Sequence, residues 1–398
     1  MKWREAEAKS LAPMRGIAAA IGAVAVFSFT GGITFPLLSF IMERHGATPT
    51  LIGLNGAMVP LGIICGALIV PRMARRYGAF RLCLGSFVAV AVLIAGLAMT
   101  RDFGLWFPLR FALGVAINFL FVFSETWINQ LAPPHIRGRI MGLYVTIAAG
   151  GFAFGPILLS VVGSEGYVAF TVAALSPFAA LPLLLAARHH LPDSYSDGHG
   201  GTFMVFARAA PMLLLLVGIV ALYDQTVLTL FPVYGLNSGL GEVRTSWALS
   251  VAIAGNMALQ LPLGWLADKI DRRAIVVALA VLTASGFAVL PLAIGTFWGW
   301  PLLFVIGATG FGGFTIAMVE LGDKFSGSML LTGNSAFAVM WGLGGLVGPP
   351  VAGAAMDGFG PQGFPLTLAS LFGVLAMAVI WRPLVPASAA RSGAGPIA

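Results

Sequence analysis

Long apolar segments, separated by short polar ones, are the feature that most restricts how this chain folds. Twelve such segments of about twenty residues each are divided into two sets of six by a polar stretch at 188–201. The hydrocarbon core of a bilayer is about 30 Å thick, which about 20 helical residues cross. These segments are too long and too uniformly apolar for the strands of a membrane barrel. We therefore predict an all-α membrane protein with twelve transmembrane helices.

The composition argues against a soluble protein. Of the 398 residues, 59% are hydrophobic and 9% are charged, and the mean hydropathy is +0.94. A soluble globular chain carries about 25% charged residues, so this chain has too few charges to cover a water-exposed surface. The formal net charge of +7 comes from Lys and Arg that lie mainly between the apolar segments. We therefore expect membrane lipid around the protein and no nucleic-acid partner.

The positions of the basic residues predict how the chain is oriented. If both termini lie on one side, eighteen of the 22 Lys and Arg residues fall in segments on that side. Three fall on the opposite side, namely Arg44, Arg101 and Arg244, and Arg110 lies within an apolar segment. Basic residues concentrate in cytoplasmic loops, so both termini are predicted to be cytoplasmic.

An internal repeat predicts two similar halves. Three short motifs recur in the same order at nearly the same offset: Arg75-Arg76 as Arg272-Arg273 (197 residues), Glu125 as Glu320 (195), and Gly155-Pro156 as Gly348-Pro349 (193). Such a parallel repeat is typical of transporters built from two six-helix bundles. The predicted parts are an N-terminal bundle at 1–187, a cytoplasmic linker at 188–208, a C-terminal bundle at 209–382 and a cytoplasmic tail at 383–398.

These motifs resemble those of the major facilitator superfamily over essentially the whole chain. The sequence GWLADKIDRR at 264–273 is close to the family's loop motif, and GALIVPRMARRYGAFR at 66–81 is its first-half copy, with Val70-Pro71 in place of the acidic residue. Arg110-x-x-x-Gly114 and the glycine-rich stretch 150–156 resemble two further family motifs. The pattern is most similar to a poorly characterised bacterial branch of drug-like exporters. The resemblance implies a monomeric carrier of small molecules in a bacterial inner membrane.

By this resemblance, charged residues at the cytoplasmic ends form a gate. Ion pairs there would bias a two-state rocking motion by a few kcal/mol; alternatively, the arginines only set the topology. A pair between Glu125 and the following basic loop would fasten the first half, whereas the residues after Glu320 lack such a loop, so we expect the halves to be held unequally. The candidate gate residues are Asp268, Arg272, Arg273, Arg72, Arg75, Arg76, Glu125, Arg137, Arg139 and Glu320.

Arg110 and Asp224 are the charges that lie deepest in apolar segments. Each costs at least about 2.5–3.5 kcal/mol to place in hydrocarbon, so such residues usually face a bundle interior or a cavity. Arg110, Gly114, Asn118, Phe121 and Glu125 share one helical stripe, which we expect to point away from lipid. The family's first, fourth, seventh and tenth spans line a central cavity, and by that resemblance Arg110 and Asp224 lie in facing halves.

We interpret Asp224 as a proton-coupling or cation-recognising carboxylate, and Arg110 as a coupling or anion-recognising residue. The alternative is a structural role, in which Asp224 only bonds a neighbour and Arg110 only pairs within the fold. The complete set of candidates for substrate binding or proton coupling is Asp224, Arg110, Tyr223, Gln225, Asn118, Thr30, Asn256 and Gln260.

Proline after glycine marks two predicted helices as bent. Gly155-Pro156 and Gly348-Pro349 are expected to break or bend the fifth and eleventh spans, because proline removes a backbone donor and clashes with the preceding turn. The alternative is that the glycines only allow close helix packing.

The sequence shows no catalytic or nucleotide-binding motif: it has no phosphate-binding loop, no H-E-x-x-H, no G-x-S-x-G and no Cys/His metal cluster. We therefore expect no enzyme activity, no metal and no cofactor. The interpretation is a secondary transporter that exports a small organic solute in exchange for protons. An importer or facilitator of a small metabolite and a lipid flippase stay open. A receptor is disfavoured, because the chain has no sizeable soluble domain.

Overall fold

The computed structural model of the protein describes residues 2–100, 102–133, 137–192 and 203–385. All secondary-structure elements within these residues are helices, and no strand occurs among them. Besides a short 3-10 helix at Gly360–Gln362, the elements are α1 (Lys2–Arg44), α2 (Pro49–Tyr77), α3 (Ala79–Met99), α4 (Phe103–Leu131), α5 (Arg137–Val162), α6 (Val168–Ala187), α7 (Phe203–Ala209), α8 (Pro211–Asn237), α9 (Gly241–Ala267), α10 (Arg272–Ala293), α11 (Gly299–Lys324), α12 (Gly327–Phe359) and α13 (Gly363–Trp381).

Ten segments of the described chain are long and apolar enough to cross a membrane, the last of which, Thr332–Trp381, contains most of α12 and all of α13. Each predicted apolar segment coincides with one long helix, so the chain is a multi-pass membrane protein. The structure departs from the sequence expectation in two places. The polar start is already part of α1, and the predicted linker contains the separate short helix α7. The remaining linker residues 193–202 and the tail after 385 lie outside the described residues.

The chain divides by its internal contacts into two compact units. Unit 1 comprises Met1–Ile41 and Met58–Asp197, and unit 2 comprises Met42–Ala57 and Gly198–Ala398. The passage from one unit to the other after Asp197 falls within the predicted linker. The short segment Met42–Ala57 is the exception, since it belongs by sequence to the first half and by contacts to the second.

Glycines bring α2 and α4 of unit 1 into backbone contact. A side chain at Gly62 would overlap the carbonyl oxygen of Phe111, and one at Gly114 would overlap the carbonyl oxygen of Val59. Small residues allow helix backbones in a membrane to approach closely, which gains dispersion energy where lipid provides no hydrophobic driving force. The two glycines therefore fix the distance between these helices.

The same contacts recur in unit 2, between α9 and α11. A side chain at Gly255 would overlap the carbonyl oxygen of Phe304, and one at Gly307 would overlap that of Ala252. All four positions follow their counterparts in unit 1 by 193 residues. The internal repeat in the sequence is therefore also a repeat of backbone packing.

Contacts with α12 explain why Met42–Ala57 belongs to unit 2. A side chain at Gly53 would overlap the carbonyl oxygen of Pro349, and one at Gly353 would overlap that of Pro49. Thr50 donates its backbone N–H to the Asp357 carboxylate at 3.2 Å and its hydroxyl to the same oxygen. The start of α2 is thus held against the end of α12 by packing and by hydrogen bonds.

Candidate functional site

Asp224 lies at the middle of α8, thirteen residues after the helix begins. Its side chain is half-buried, and Gln225 Nε2 donates a hydrogen bond to Asp224 Oδ2 at 3.3 Å. No ion pair joins Asp224 to a cation among the described residues. The structure therefore places a carboxylate and an amide side by side in an apolar helix.

Tyr223 does not join this pair. It is 4% exposed, and its ring centre lies 5.9 Å from that of Phe287 and 5.6 Å from that of Phe372. Its hydroxyl donates to the carbonyl of Ile306 at 3.4 Å. Consecutive residues on a helix point about 100° apart, so Tyr223 turns into the packed interior of unit 2 while Asp224 does not. Its place among the candidates for substrate binding stays a prediction.

Arg110, on α4 of unit 1, is 1% exposed. Its guanidinium carbon lies 4.8 Å from the centre of the Phe35 ring on α1. A cation over an aromatic face is stabilised by about 2 kcal/mol or more when the pair is removed from water. The Phe35 ring thus offsets part of the cost of burying this charge.

Buried polar groups accompany Arg110 in unit 1. Thr30 is fully buried and Asn118 is 2% exposed, and neither Thr30 Oγ1 nor Asn118 Nδ2 has a hydrogen-bond partner among the described residues. An unpaired buried polar group costs about 1–3 kcal/mol, so these two side chains lower the stability of the fold. Their presence is therefore not explained by a contribution to stability. In unit 2, by contrast, Gln260 Nε2 donates to Asn256 Oδ1 at 3.2 Å along α9.

The predicted inward-facing stripe of α4 holds for most of its length. Arg110, Gly114 and Asn118 are buried and Phe121 is half-buried. Glu125, the last member, is exposed, and the expectation that this end of the stripe points away from lipid stays a prediction. The residue before Glu125, Ser124, forms a buried hydrogen bond through its Oγ with the Tyr144 hydroxyl at 2.9 Å, which joins α4 to α5.

At the start of α10, Arg272 holds two carboxylates on α11. Arg272 Nη1 donates to Glu320 Oε2 at 2.8 Å, and Nη2 donates to Asp323. Arg272 Nε also donates to the carbonyl of Ala267 at 3.2 Å. One side chain therefore ties the end of α9, the start of α10 and the end of α11 together within unit 2.

The neighbouring Arg273 holds a third helix of the same unit. Its Nε donates to the carbonyl of Val379 at 2.8 Å, and its Nη2 donates to that of Ile380, in the last turn of α13. Asp271 caps α10 by accepting from the Arg273 backbone N–H at 3.2 Å. The side chain of Asp268 is exposed at the end of α9 and forms no hydrogen bond or ion pair with a described residue. The arginines of this loop motif thus have partners, whereas its first acidic residue has none there.

The corresponding loop of unit 1 is arranged differently. Arg72, Arg75 and Arg76 are exposed, as is Arg139 at the start of α5. Glu125 forms no ion pair with a described residue, and the side chain of Arg137 lies outside the described part of the chain. The second half is therefore held by a charged network around Arg272 that has no described counterpart around Glu125.

Both predicted helix-bending motifs lie in continuous helices. α5 continues through Pro156 and α12 continues through Pro349, so neither helix is broken. A side chain at Gly155 would overlap the backbone of Gly32, and one at Gly348 would approach the carbonyl oxygen of Leu222 to 2.7 Å. Both glycines therefore lie where a neighbouring helix packs closely.

Several polar residues of unit 2 were not among the sequence candidates. Asp323 shares Arg272 with Glu320, and it lies three residues after Glu320 on the same helix face, which is the signal that could have identified it. At the other end of the unit, Asn237 Nδ2 donates to Glu43 Oε1 at 2.9 Å, and Arg44 Nε lies 3.3 Å from Glu242 Oε1. With Thr50 and Asp357, these pairs join the end of α1 and the start of α2 to α8, α9 and α12.

Comparison with known proteins agrees with the helical repeat and the loop motifs. The sequence profile of the Major Facilitator Superfamily matches residues 20–328 and 213–396. The chain belongs to the Major Facilitator Superfamily. Members of this superfamily are membrane transporters and not enzymes. Among the described residues, no group of three His, Cys, Asp or Glu side chains is placed to hold a metal ion.

The relatives are bacterial. The uncharacterised MFS-type transporter YfkF of Bacillus subtilis is 24% identical over 91% of this chain and 93% of its own length. The uncharacterised MFS-type transporter YcaD of Escherichia coli is 26% identical over 83% of this chain and 86% of its own length. These similarities give the transporter class and leave the solute open.

Two solved structures share the fold. The crystal structure of the nucleoside transporter NupG superposes with a TM-score of 0.74 at 15% identity, covering 92% of this chain and 98% of NupG. A bacterial homologue of the human lysosomal transporter Spinster, in its inward-facing and unoccupied conformation, superposes with a TM-score of 0.72 at 15% identity, covering 96% of this chain and 98% of that protein. At this identity the likeness concerns the fold alone.

Proposed function

We propose that this transporter exports a small, amphipathic organic solute from a bacterial cell in exchange for protons. It acts as a monomer in the inner membrane, with twelve membrane-spanning helices and both termini in the cytoplasm. The two bundles, predicted at 1–187 and 209–382, alternate in opening the solute site to either side. Residues 188–208 link them on the cytoplasmic side.

Asp224 is the observation that carries this proposal. It stands at the middle of α8, and Gln225 is its hydrogen-bond donor among the described residues. A carboxylate in this position is costly when ionised, since placing a charge at mid-membrane takes at least about 2.5–3.5 kcal/mol. Binding of a proton removes the charge, and binding of a cationic or donor-bearing solute compensates it. Exchange of one for the other is the chemistry of an antiporter.

Arg110 and the buried groups of unit 1 supply a second polar feature. The Arg110 guanidinium carbon lies 4.8 Å from the centre of the Phe35 ring. Asn118 lies eight residues further along the same helix and is also buried. Two such isolated polar clusters in otherwise apolar helices suit a solute with one or two polar groups on an apolar body. A solute with several charges would leave most of them without a counter-charge in this setting.

Proton movement driven by candidate solutes tests the proposal. Everted membrane vesicles with a pre-formed proton gradient are exposed to a panel of amphipathic compounds, and the gradient is followed by a fluorescent probe. We expect some compounds to dissipate the gradient with wild-type protein and with Asp102→Asn, an exposed helix-cap control. The response should be lost with Asp224→Asn.

Two results would count against the proposal. If Asp224→Asn responds as the wild type does at every pH tested, Asp224 has a structural role and no part in coupling. If folded wild-type protein gives no proton response but moves compounds down their gradient, it is a facilitator. Movement of labelled phospholipid between leaflets, without solute transport, would instead identify a flippase.

A further inference from the structure

The corner between α2 and α3 carries a cluster of exposed arginines. We define the arginine corner as Arg72, Arg75, Arg76 and Arg81, all of which are exposed. The first three lie on the last turns of α2 at i, i+3 and i+4, so they share one helix face. Arg81 follows in the first turn of α3, after a sharp turn at Gly78, whose φ is 81°.

No acidic residue accompanies this cluster in the sequence. Asp and Glu are absent from the whole stretch between Glu43 and Asp102, which contains all of α2 and α3. Among the described residues, Arg72, Arg76 and Arg81 form no ion pair. The corner is therefore a local concentration of positive charge.

The corresponding corner of unit 2 contains the acidic residues that the arginine corner lacks. In unit 2 the copy of this corner contains Asp268 and Asp271, and Arg272 there is neutralised by Glu320 and Asp323. The helix boundaries differ as well. Arg272 opens α10, whereas its counterpart Arg75 lies in the last turn of α2, because α2 continues to Tyr77. Arg72, Arg76 and Arg81 of the first half are thus exposed and form no ion pair with a described residue, whereas Arg272 is neutralised within its own unit.

An exposed aromatic residue stands beside the arginines. The Tyr77 side chain is 43% exposed, and the Arg76 guanidinium carbon lies 5.3 Å from the centre of its ring. Tyrosine at a helix end is typical of the level of the lipid headgroups, where its ring contacts apolar and polar surroundings at once. A planar guanidinium there matches two oxygens of a phosphate group.

We propose that the arginine corner binds the headgroup of an anionic phospholipid in the leaflet where α2 ends. The phosphodiester oxygens accept hydrogen bonds from Arg72, Arg76 and Arg81, and Tyr77 contacts the glycerol region. The lipid supplies negative charge to Arg72, Arg76 and Arg81, which form no ion pair with a described residue. Clusters of four or more basic residues next to a membrane helix bind anionic lipid in this way.

Lipid titration of purified protein in a neutral detergent tests the proposal. Short-chain phosphatidylglycerol is added, and the midpoint of thermal unfolding is followed. Short-chain phosphatidylcholine and inorganic phosphate are the comparison ligands. We expect an upward shift with phosphatidylglycerol that saturates and that is weakened by salt. Phosphatidylcholine should give no such shift. An equal shift with inorganic phosphate would show that a free anion, and not a lipid, is bound.

Charge-matched variants locate the site. In Arg72→Gln/Arg76→Gln/Arg81→Gln we expect the affinity for phosphatidylglycerol to fall about 100-fold, or about fivefold per arginine. The control removes the same number of exposed charges from unit 2 by changing Arg208, Lys324 and Arg382 to Gln, and it should bind as the wild type does. Should the triple variant not fold, the three single variants each test a fivefold loss. Equal affinities in wild type, corner variants and control would overturn the proposal.

Discussion

Arg272 Nη1 and Glu320 Oε2 lie 2.8 Å apart and join α10 to α11 within unit 2. The side chains are only 19% and 10% exposed. Loss of the Glu320 charge leaves Arg272, which is shielded from water, with only the more exposed Asp323 as a counter-charge. We expect Glu320→Gln to destabilise the protein by about 2 kcal/mol, measured as a lower midpoint of thermal unfolding in detergent.

Asp323→Asn is the internal control for this pair. The Asp323 side chain is 58% exposed, and ion pairs of that exposure contribute about 1 kcal/mol or less. It should therefore destabilise less than Glu320→Gln does. Equal effects of the two variants would show that burial does not distinguish the two carboxylates.

The contact between Arg110 and Phe35 predicts a measurable coupling. Phe35→Leu should remove about 0.5–2 kcal/mol of cation–π stabilisation in addition to its packing loss, and this extra part should vanish in an Arg110→Met background. A double-mutant cycle on thermal stability in detergent measures the difference. Phe40→Leu, another fully buried phenylalanine of α1, should cost the same in both backgrounds. An interaction free energy of zero between Phe35 and Arg110 would contradict the prediction.

The repeated glycine contacts predict matched effects in the two units. Gly62→Ala and Gly255→Ala each place a methyl group into a carbonyl oxygen of the facing helix, so we expect each to destabilise by about 2 kcal/mol or more and to lower the yield of folded protein. Size-exclusion chromatography with thermal unfolding measures both. Gly85→Ala and Gly373→Ala meet open space and should change stability by less than about 1 kcal/mol. A tolerated alanine at Gly62 or Gly255 would refute the contact.

Thr50 and Asp357 predict the effect of a cross-link. In the proposed alternating-access cycle, we expect the ends of α1 and α2 to separate from α12 in one state. We expect Thr50→Cys/Asp357→Cys, in a background without Cys65 and Cys83, to lose transport when joined by a short reducible reagent and to recover it on reduction. The control pair Thr283→Cys/Thr309→Cys lies within one bundle, where the hydroxyls are 2.8 Å apart, and should transport when joined. Transport by the joined Thr50–Asp357 variant would exclude this opening movement.

The helices could be predicted closely because lipid leaves the backbone few choices. Every long apolar segment had to satisfy its own hydrogen bonds, so each became a helix at the expected place. The sequence did not reveal the helical start of α1 or the short α7. Their residues are not long apolar runs, and the signal that located the other helices is absent from them.

The partners of side chains were harder to predict than their positions. The spacing of the loop motif drew attention to Asp268, but Arg272 binds Glu320 and Asp323, which follow it by 48 and 51 residues. Such pairs depend on which helices become neighbours and on how each is rotated. The repeat shows that Glu320 corresponds to Glu125 without showing that, of the two, Glu320 alone pairs with an arginine among the described residues. Likewise, adjacency in sequence suggested that Tyr223 joins Asp224, whereas the turn of the helix separates them.

The two hydrogen bonds from Arg273 to the last turn of α13 have a practical consequence for protein engineering. They hold the carbonyls of Val379 and Ile380, so the final membrane helix is anchored at its very end. A truncation that stops after Arg382 keeps this anchor, and one that stops before Val379 removes it along with the helix end. A rigid fusion partner for imaging is therefore best joined directly behind this anchored turn, where its orientation follows that of α10.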